Sequence, residues 1–328
     1  MPGLKLSVQR ESFKIAGTFT ISRGSRTQSE VVLVELSDGS HVGRGECVPY
    51  KRYGETVDGV IGAIEALRNG LMKGLNRTML QSLAKPGAAR NAIDCALWDL
   101  EAKRAGKPAW QIAGLPAPRP LTTAYTLSLD TPDAMAAKAA ENGARPVLKM
   151  KLAGDGDLAR VEAVRKAAPK AKVVVDANEG WSAAHYDRFA PELAKLGVAM
   201  IEQPLPAGED EALRGRPRPV PLCADESCHD RSSLERMKGK YDFANIKLDK
   251  TGGLTEALAL KAAAEAAGFR IMVGCMIGTS LAMAPAFLAA QGAEIVDLDG
   301  PLLLAEDRPH AIRYDGSLMH APDTGLWG

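Results

Sequence analysis

Eight short runs of β-favouring residues alternate with alanine-rich helical segments between Leu121 and about residue 300. In chain order the runs are TTAYTLSL, VLKMKLA, KVVVDANEG, VAMIEQPL, VPLCADES, FANIKLDK, RIMVGCM and EIVDLDG. Strands that alternate with helices form parallel βαβ units, and eight units in succession close into a barrel more readily than they extend an open doubly wound sheet. The pattern therefore predicts an α/β protein with a (β/α)8-type barrel over about residues 121–300.

The residues before the barrel are predicted to form a separate α+β region. Residues 4–47 alternate polar and apolar positions and break at glycine-containing turns, a pattern typical of an antiparallel meander. Residues 56–113 change to helical spacing, and three prolines then crowd the segment 116–120, which cannot continue a helix. The tail, 301–328, contains no further βα unit, so we expect it to return and pack on the N-terminal region.

The 328-residue chain is nearly neutral, with 41 lysines and arginines against 40 aspartates and glutamates. Its basic residues are scattered among acids and only 5% of its residues are aromatic, so it has neither a cationic stripe nor a stacking platform for nucleic acid. The longest nearly apolar stretch, Leu281–Ala290, is much shorter than the ~20 residues that span a bilayer. The N-terminus lacks the apolar core of a signal peptide, and five dispersed cysteines suit a reducing compartment. We therefore expect a cytoplasmic protein that binds neither nucleic acid nor membrane.

Charged side chains recur where the predicted strands end. In chain order they are Lys149 and Lys151, Asp176, Glu202, Asp225, Lys247, and Asp297 and Asp299, with Cys275 on the seventh strand. Neighbouring positions in this series are 22 to 28 residues apart, about one βα unit each. The carboxyl ends of parallel barrel strands converge on one mouth, where catalysis takes place. The series therefore predicts a charged active site at this face.

Asp176, Glu202 and Asp225 follow three consecutive strands. Three carboxylates side by side would repel one another strongly without a counter-ion. Ligands that are all oxygen suit Mg²⁺, which is coordinated octahedrally and usually keeps positions for water or substrate oxygens. Each acid could instead cap the helix after its strand, but that explanation does not account for three acids in register. We therefore predict that they bind Mg²⁺.

Lys151 and Lys247 lie on predicted strands to either side of these acids. Two lysines on opposite faces of one ligand suit two-base proton transfer, and a nearby cation can lower a lysine pKa towards ~7–8 so that it accepts a proton. Lys149 projects to the same side as Lys151 and could supply that cation. Solvated strand tips are the alternative, but lysine in the middle of an apolar strand is unusual. The two lysines are therefore predicted to be acid/base groups.

Five motifs in this order, LKMKL, VDANEGW, IEQPLP, ADES and NIKLDKTGG, resemble the muconate-lactonizing-enzyme subgroup of the enolase superfamily. Four more, GRGECVPYKRYGE, AARNAIDCALWDL, GCMIGTS and DLDGP, resemble the dipeptide epimerases, above all the L-Ala-D/L-Glu epimerases. The similarity covers essentially the whole chain. It implies an α+β capping domain, formed by residues 1–115 and the tail 301–328, over a (β/α)7β barrel at 121–300.

The resemblance also implies Mg²⁺-dependent epimerisation at one carbon of a dipeptide, with L-Ala-L-Glu to L-Ala-D-Glu as the expected reaction. Lys151 and Lys247 match the family's acid/base groups for the two epimers, and Lys149 matches an auxiliary lysine that contacts the substrate carboxylate. The family's metal ligands match Asp176, Glu202 and Asp225. Through this family, the substrate is linked to recycling of bacterial cell-wall peptides.

Four further positions are carried over from the family. Asp297 and Asp299 match the Asp-x-Asp pair that receives the ammonium group of the dipeptide, which charge complementarity also favours. Thr126 stands where the family places a residue that hydrogen-bonds the dipeptide backbone, and Arg23 resembles the arginine that receives the glutamate side chain. Residues 50–55 match a second specificity loop, which is expected to close over the site and exclude water.

Several alternatives stay open at this point. Sister chemistries of the same scaffold are β-elimination, as in o-succinylbenzoate synthase, and lactonising cycloisomerisation, but their anionic substrates have no ammonium group to pair with Asp297 and Asp299. A lysine Schiff-base aldolase leaves the three acids unexplained, and a non-catalytic dipeptide-binding protein leaves the complete set of bases and ligands unexplained. The identity of the dipeptide is open, and a homo-oligomer is compatible with the sequence.

Cysteines and histidines are not predicted to bind metal. Cys223 and Cys228 flank Asp225 without a matching pair elsewhere, which argues against zinc. Cys275 is expected to line the pocket without reacting, since no base lies near it in the sequence. The five histidines show no metal-ligand spacing and are expected on the surface or in loops.

Overall fold

A computed structural model describes residues 4–328 of the chain. Its N-terminal region begins with a three-stranded antiparallel sheet, as the alternating pattern predicts. The strands are β1 (Lys5–Ile21), β2 (Gly24–Ser37) and β3 (Val42–Cys47). Gly24 and Gly39 adopt φ values of +132° and +96° at the two turns, a region of backbone conformation that favours glycine.

Five helices accompany this sheet. They are α1 (Val57–Ala66), α2 (Arg68–Met72), α3 (Arg77–Leu83), α4 (Ala88–Ala105) and α5 (Ala109–Ile112). Helix α4 packs directly along β3, where a Cβ at Gly43 would lie 2.2 Å from Ala96 O and one at Gly45 would lie 2.1 Å from Ala92 O. The absence of side chains at Gly43 and Gly45 therefore allows the alanine-rich helix to approach the sheet backbone, and most of α4 is buried.

The second region is an eight-stranded parallel sheet that follows a two-residue strand, β4 (Leu121–Thr122). In the order of their pairing, its strands are β5 (Tyr125–Leu127), β6 (Val147–Lys151), β7 (Lys172–Asp176), β8 (Val198–Glu202), β9 (Leu222–Ala224), β10 (Phe243–Ile246), β11 (Arg270–Gly274) and β12 (Ile295–Asp297). A hydrogen bond of 2.8 Å from Ala124 N to Val296 O joins the first and last strands. The sheet thus closes, and the predicted α/β barrel with an N-terminal capping domain is confirmed.

Helices connect most successive barrel strands. They are α6 (Pro132–Glu141), α7 (Asp157–Ala167), α8 (Ala183–Lys195), α9 (Leu234–Met237), α10 (Leu248–Thr251), α11 (Leu254–Ala266) and α12 (Ser280–Ala289). The connection from β8 to β9 contains only a 3-10 turn, Asp210–Leu213, and β12 is followed by the 3-10 turn Gly300–Leu303. Six of the seven connections thus hold an α-helix, one holds a 3-10 turn instead, and no α-helix follows the eighth strand, so the order corresponds to (β/α)7β with one helix replaced.

The barrel interior is apolar below its mouth. Its buried cluster consists of Val174, Met200, Cys223, Phe243, Met272 and Ile295. Because side chains alternate across a strand, the residue two positions further along points to the same interior. For four of these strands that next inner residue is an acid: Asp176, Glu202, Asp225 or Asp297. Because of this alternation, the acids at the strand ends all point into the barrel and lie together above the buried apolar cluster.

The tail contacts both regions. Its strands β13 (Tyr314–Asp315) and β14 (Leu318–Met319) form a small sheet with β4, so Leu121 and Thr122 pair with the tail and the first barrel strand starts only at Tyr125. The indole Nε1 of Trp327 donates to Cys95 O of α4 at 3.0 Å. No helix in residues 4–328 is long and apolar enough to cross a membrane.

Buried polar contacts join the capping region to the barrel. The guanidinium of Arg90 on α4 donates to Thr251 O at 2.6 Å. The carboxylate of Asp249 accepts from Asn91 Nδ2 at 2.8 Å and from Val48 N at 3.0 Å. These contacts hold the end of β3, and the loop that follows it, against the mouth of the barrel.

Candidate active site

Asp176, Glu202 and Asp225 stand at the ends of three neighbouring strands, β7, β8 and β9. One carboxylate oxygen of each lies within 4.8 Å of the others, and all three side chains are buried. Within residues 4–328 this is the one group of three or more His, Cys, Asp and Glu side chains whose geometry suits a metal ion. The structure therefore brings the predicted ligands together.

Lys149 lies against this acidic group. Its Nζ is 2.7 Å from Glu202 Oε2, 2.7 Å from Asp297 Oδ2 and 3.3 Å from Asp176 Oδ2. Burial opposes the charge of Lys149, but the attraction of these carboxylates, that of Asp297 above all, raises its pKa well above the ordinary value. Lys149 is therefore held as a cation among three carboxylates, which suits it to stabilising negative charge.

Lys151 and Lys247 approach the cluster of three acids from opposite sides. Lys151 stands at the end of β6, and Lys247 directly follows β10. Lys151 Nζ is 2.6 Å from Asp176 Oδ2, and Lys247 Nζ is 2.7 Å from Asp225 Oδ2. Both side chains are nearly buried and line the same cavity, of about 40 Å³. Two amines thus face one enclosed space.

The charged groups of this cluster shift one another's pKa values. Although burial disfavours ionisation of Asp176, the charges of Lys151 and Lys149 lower its pKa to about 2. Burial, followed by the charge of Asp176, raises the pKa of Glu202 to about 7. Lys247 is also buried, yet the charge of Asp225 raises its pKa above the ordinary value. Lysine charges therefore favour ionisation of Asp176, whereas burial and the neighbouring acid disfavour ionisation of Glu202.

Two polar neighbours of the acids were missed by sequence reasoning. Lys250 Nζ lies 2.6 Å from Asp225 Oδ1 and 2.6 Å from Asp225 O, and Asn245 Nδ2 donates to Glu202 Oε1 at 2.8 Å. Asn245 could have been found, because it stands two residues before Lys247 on β10 and so shares its inward face. Lys250 lies on the following helical turn, where strand alternation gives no signal.

Asp297 and Asp299 lie across the mouth from β9. Asp297 contacts Lys149, and its second oxygen, Oδ1, is buried without a hydrogen-bond partner in the part of the chain that the structure describes. Asp299 accepts a hydrogen bond of 2.7 Å from the backbone N–H of Thr126. Burial, followed by the charge of Asp297, raises the pKa of Asp299 to about 7. The structure therefore brings this pair and Thr126 to one side of the site.

Arg23 lies at the turn between β1 and β2, and protein groups already occupy its guanidinium. It donates to Asn178 O at 2.7 Å and to Glu226 Oε1 at 2.7 Å. Arg26, which sequence reasoning missed, also borders the cavity, and its guanidinium lies 5.8 Å from the ring centroid of Phe19. Over residues 4–328, Arg26 has no carboxylate partner. The two arginines of ISRGSR thus differ in how freely they can meet a ligand.

Tyr50 and Tyr53 line the cavity and belong to the segment 50–55, for which the role of second specificity loop stays a prediction. The segment contains the 3-10 turn Lys51–Tyr53, and its Tyr53 ring packs edge-on against His229 with centroids 4.7 Å apart. His229 lies in a loop, as expected, but is half-buried beneath this segment. Cys275 lines the cavity, and burial raises the pKa of its thiol well above the ordinary value. The thiol therefore stays protonated.

Two family models match the chain. Residues 4–114 match the N-terminal domain of the mandelate racemase and muconate lactonizing enzymes, and residues 133–326 match the enolase C-terminal domain-like model. The L-Ala-D/L-Glu epimerase of Escherichia coli K12 is 46% identical over 96% of this chain and 99% of its own length. An N-acetyl-D-glutamate racemase of Pseudoalteromonas is 44% identical over 91% of this chain and 95% of its own length.

Solved structures agree with these matches. An enolase family member from Agrobacterium tumefaciens with homology to dipeptide epimerases, which holds sodium and L-Ala-L-Glu with an ordered loop, is 56% identical, with a TM-score of 0.97 over 99% of this chain and 100% of that one. A dipeptide epimerase from Enterococcus faecalis, complexed with Mg and L-Leu-L-Tyr, is 30% identical, with a TM-score of 0.91 over 99% of each chain. The chain therefore belongs to the mandelate racemase and muconate lactonizing enzyme family of the enolase superfamily, among its dipeptide epimerases.

Proposed function

We propose that this protein inverts the α-carbon of the C-terminal residue of a dipeptide, converting L-Ala-L-Glu and L-Ala-D-Glu into one another. The observation that carries the proposal is the pair of buried lysines, Lys151 and Lys247. They line one cavity and lie on opposite sides of the cluster of three acids. Inversion needs a proton removed from one face and returned to the other, and two amines facing one enclosed space can do both.

We propose Mg²⁺ as the cofactor, held by Asp176, Glu202 and Asp225. Three carboxylates with converging oxygens are the hard, all-oxygen donor set that Mg²⁺ prefers. Bound there, Mg²⁺ would draw electron density from the substrate α-carboxylate and so acidify the adjacent C–H bond.

The protein's own groups divide the remaining work. In one direction Lys151 accepts the α-proton while Lys247, protonated, donates to the opposite face; in the other direction they exchange roles. Lys149 stays cationic beside the acids and stabilises the negative charge that develops on the substrate carboxylate. No redox step is needed, because a proton leaves and a proton returns.

The two ends of the substrate are assigned by charge. We propose that Asp297 and Asp299 receive the ammonium group, that Thr126 contacts the dipeptide backbone, and that the acidic side chain meets the arginines of the β1–β2 turn. Arg26 suits that last role better than Arg23, because Arg23 is already bonded to Glu226 and Asn178. The place of this reaction in cytoplasmic recycling of cell-wall peptides remains a prediction from the family.

Deuterium exchange tests this function. With Mg²⁺ in D₂O, L-Ala-L-Glu should gain one deuterium at the glutamate α-carbon as L-Ala-D-Glu forms. Mass spectrometry measures the deuterium and chiral separation identifies the epimer. The same assay is applied to a library of L-Ala-L-X and L-X-L-Glu dipeptides. Removal of Mg²⁺ with EDTA should stop the exchange and adding the ion back should restore it. Absence of exchange with every dipeptide would refute an epimerase.

Racemisation of an N-acylated glutamate is a second candidate, favoured by the identity to the Pseudoalteromonas racemase. An N-acyl substrate carries no ammonium group, so Asp297 and Asp299 would then have no cation to bind. Asp299→Asn should weaken turnover of L-Ala-Glu and leave N-acetylglutamate unaffected if the dipeptide is the true substrate. Faster turnover of N-acetylglutamate by the unaltered enzyme would favour the second candidate. The same two carboxylates argue against β-elimination and cycloisomerisation of anionic substrates.

A further inference from the structure

The loop after β7 presents Glu179 from a constrained backbone. Asn178 and Glu179 have φ values of +44° and +64°, in the left-handed region that non-glycine residues rarely adopt. The loop after β8 holds Glu179 twice, since Glu179 N donates to Gln203 O at 2.9 Å and Ala207 N donates to Glu179 Oε1 at 2.9 Å. The Glu179 side chain is 7% exposed, and these hydrogen bonds fix it relative to the barrel.

This single carboxylate binds arginines from two separate capping-domain segments. Arg52, in the segment 50–55, donates from Nε to Glu179 Oε2 at 2.5 Å and from Nη2 to Oε1 at 2.6 Å. Arg23, in the β1–β2 turn, places Nη1 3.1 Å from Glu179 Oε2. Arg23 also donates to the hydroxyl of Tyr50 at 3.1 Å, so the two segments contact each other as well. Paired, bidentate contacts of this kind are the strong form of charged hydrogen bond.

Two spaces border the segments that these contacts join. On the barrel side lies the cavity of about 40 Å³ that contains Lys151 and Lys247, close to the roughly 30 Å³ that one water occupies in the liquid. On the outer side a groove of about 720 Å³ runs between the β1–β2 turn and the segment 50–58. Arg23 and Tyr50 line both. A cavity this small cannot hold a dipeptide, so the segments that border it must move apart to admit one.

We infer that Glu179 is a positioning residue: its carboxylate is the barrel-side anchor of a latch, Arg52–Glu179–Arg23, that fastens both capping-domain segments over the site. The latch must open for substrate to enter and product to leave. Arg52 and Arg23 are partly exposed, with 37% and 27% of their side-chain surface accessible, so salt weakens the latch. The latch itself is inferred from these contacts, and only the identity of the enclosed ligand, a dipeptide, rests on the proposed function.

Hydrogen exchange measured by mass spectrometry tests the latch without substrate. The amides of Tyr53, Gly54 and Glu55 are bonded within the segment and exchange only when it opens. Glu179→Gln and Arg52→Gln should each speed exchange in peptides covering 50–56 by about three- to tenfold, and the double variant should exchange no faster than the faster single one. In about 0.5 M NaCl the unaltered protein should approach the rate of Glu179→Gln.

The matched control is Glu211→Gln, which removes a carboxylate from another bidentate arginine pair, Arg214–Glu211, on the barrel surface. It should leave exchange in 50–56 unchanged. Unchanged exchange in Glu179→Gln, or faster exchange spread evenly over the whole chain, would overturn the latch. If dipeptide turnover is present, Glu179→Gln should also raise KM several-fold more than it lowers kcat. If turnover is absent, the exchange data still decide the latch, so its failure and that of the proposed function are distinguishable.

Discussion

At the residue scale, the proposed reaction depends on where two ammonium groups point. Lys151 and Lys247 each contact a different carboxylate, Asp176 and Asp225, so each amine is held on its own side of the site. Beneath them on the same strands lie the buried polar residues Lys149 and Asn245, and the apolar cluster lies below those. Their positions are therefore determined by one ion pair each and by the strand that carries them.

Replacing either lysine should separate the two half-reactions. Lys151→Ala and Lys247→Ala should each lower epimerisation by about 10³-fold, since a positioned acid/base group contributes on that order. In D₂O each variant should still exchange the α-proton of only one epimer, and the two variants should prefer opposite epimers. The measurement is deuterium incorporation into L-Ala-L-Glu and L-Ala-D-Glu supplied separately.

The matched control for both variants is Lys240→Met, which removes another buried lysine, paired with Asp210 at 2.6 Å outside the cavity. This variant shows how much activity is lost when a buried ion pair is removed away from the site. It should still catalyse α-proton exchange of both epimers. Equal exchange of both epimers by either lysine variant would contradict the two-base assignment.

Gly274, at the end of β11, makes room for Lys247. A Cβ there would lie 2.9 Å from Asn245 Oδ1 and 3.1 Å from Lys247 Cε. Gly274→Ala should displace the Lys247 amine and lower kcat by about 10- to 100-fold, because small misplacements of a catalytic group carry costs of that order. Gly62→Ala on α1, where a Cβ would meet nothing within 4 Å, is the control. Full activity in Gly274→Ala would show that the amine tolerates the shift.

At the element scale, α4 connects the capping sheet to the barrel. Asp94 on this helix accepts from Thr255 N, at the start of α11, at 2.9 Å and from Gln81 Nε2, on α3, at 3.0 Å. Burial raises the pKa of Asp94 to about 6. The helix thus carries a buried acid at its junction with two other helices.

This buried acid should make stability depend on pH. Between about pH 4 and 6, Asp94 is protonated in the folded protein and ionised in the unfolded chain. The contribution of this proton to the free energy of unfolding is therefore fully present below pH 4 and is lost as the pH rises through 6. Asp94→Asn removes this loss of stability. If the side-chain amide of Gln81 rotates by about 180°, its unpartnered Oε1 can accept a hydrogen bond from the new amide. From pH 4 to 7 the variant should gain roughly 2 to 3 kcal/mol relative to the original protein. Urea unfolding at several pH values measures the difference, and parallel profiles would contradict it.

At the scale of the whole molecule, the end of the chain ties the tail to the capping region. Trp327 is 2% exposed and bonds Cys95 O, and Gly328 N donates to Asp99 Oδ1 at 2.7 Å. Gly328 O accepts from Ala109 N at 2.8 Å. The last two residues therefore contact α4 and α5 together.

Trp327→Ala should destabilise the whole protein. Truncation of a buried tryptophan typically costs about 3–5 kcal/mol, through lost apolar burial and the cavity left behind. Leu318→Ala, at a position 39% exposed in the same tail, should change stability by less than about 0.5 kcal/mol. Urea unfolding midpoints and slopes provide both values. A loss below about 1 kcal/mol for Trp327→Ala would mean that the tail adds little to folding.

Local pattern accounts for much of the fold. Strand alternation and the spacing of βα units identify the barrel, and the same alternation aims Asp176, Glu202 and Asp225 into it, because a side chain's direction on a strand follows from its position. Boundaries were predicted less well. TTAYTLSL was interpreted as one strand, yet Leu121 and Thr122 pair with the tail, a partner nearly 200 residues away that no local pattern reveals.

The sequence by itself determined the architecture and the chemical kind of the site: which strands end in acids, which carry lysines, and which family shares those motifs. Tertiary structure alone decided which groups are already partnered. Arg23 and Arg26 are equivalent in ISRGSR, but only Arg23 meets the carboxylates of Glu179 and Glu226, which the loops after two different barrel strands supply. The physical reason is that charge and periodicity are local properties of the chain, whereas an ion pair between distant segments depends on how far apart folding leaves them.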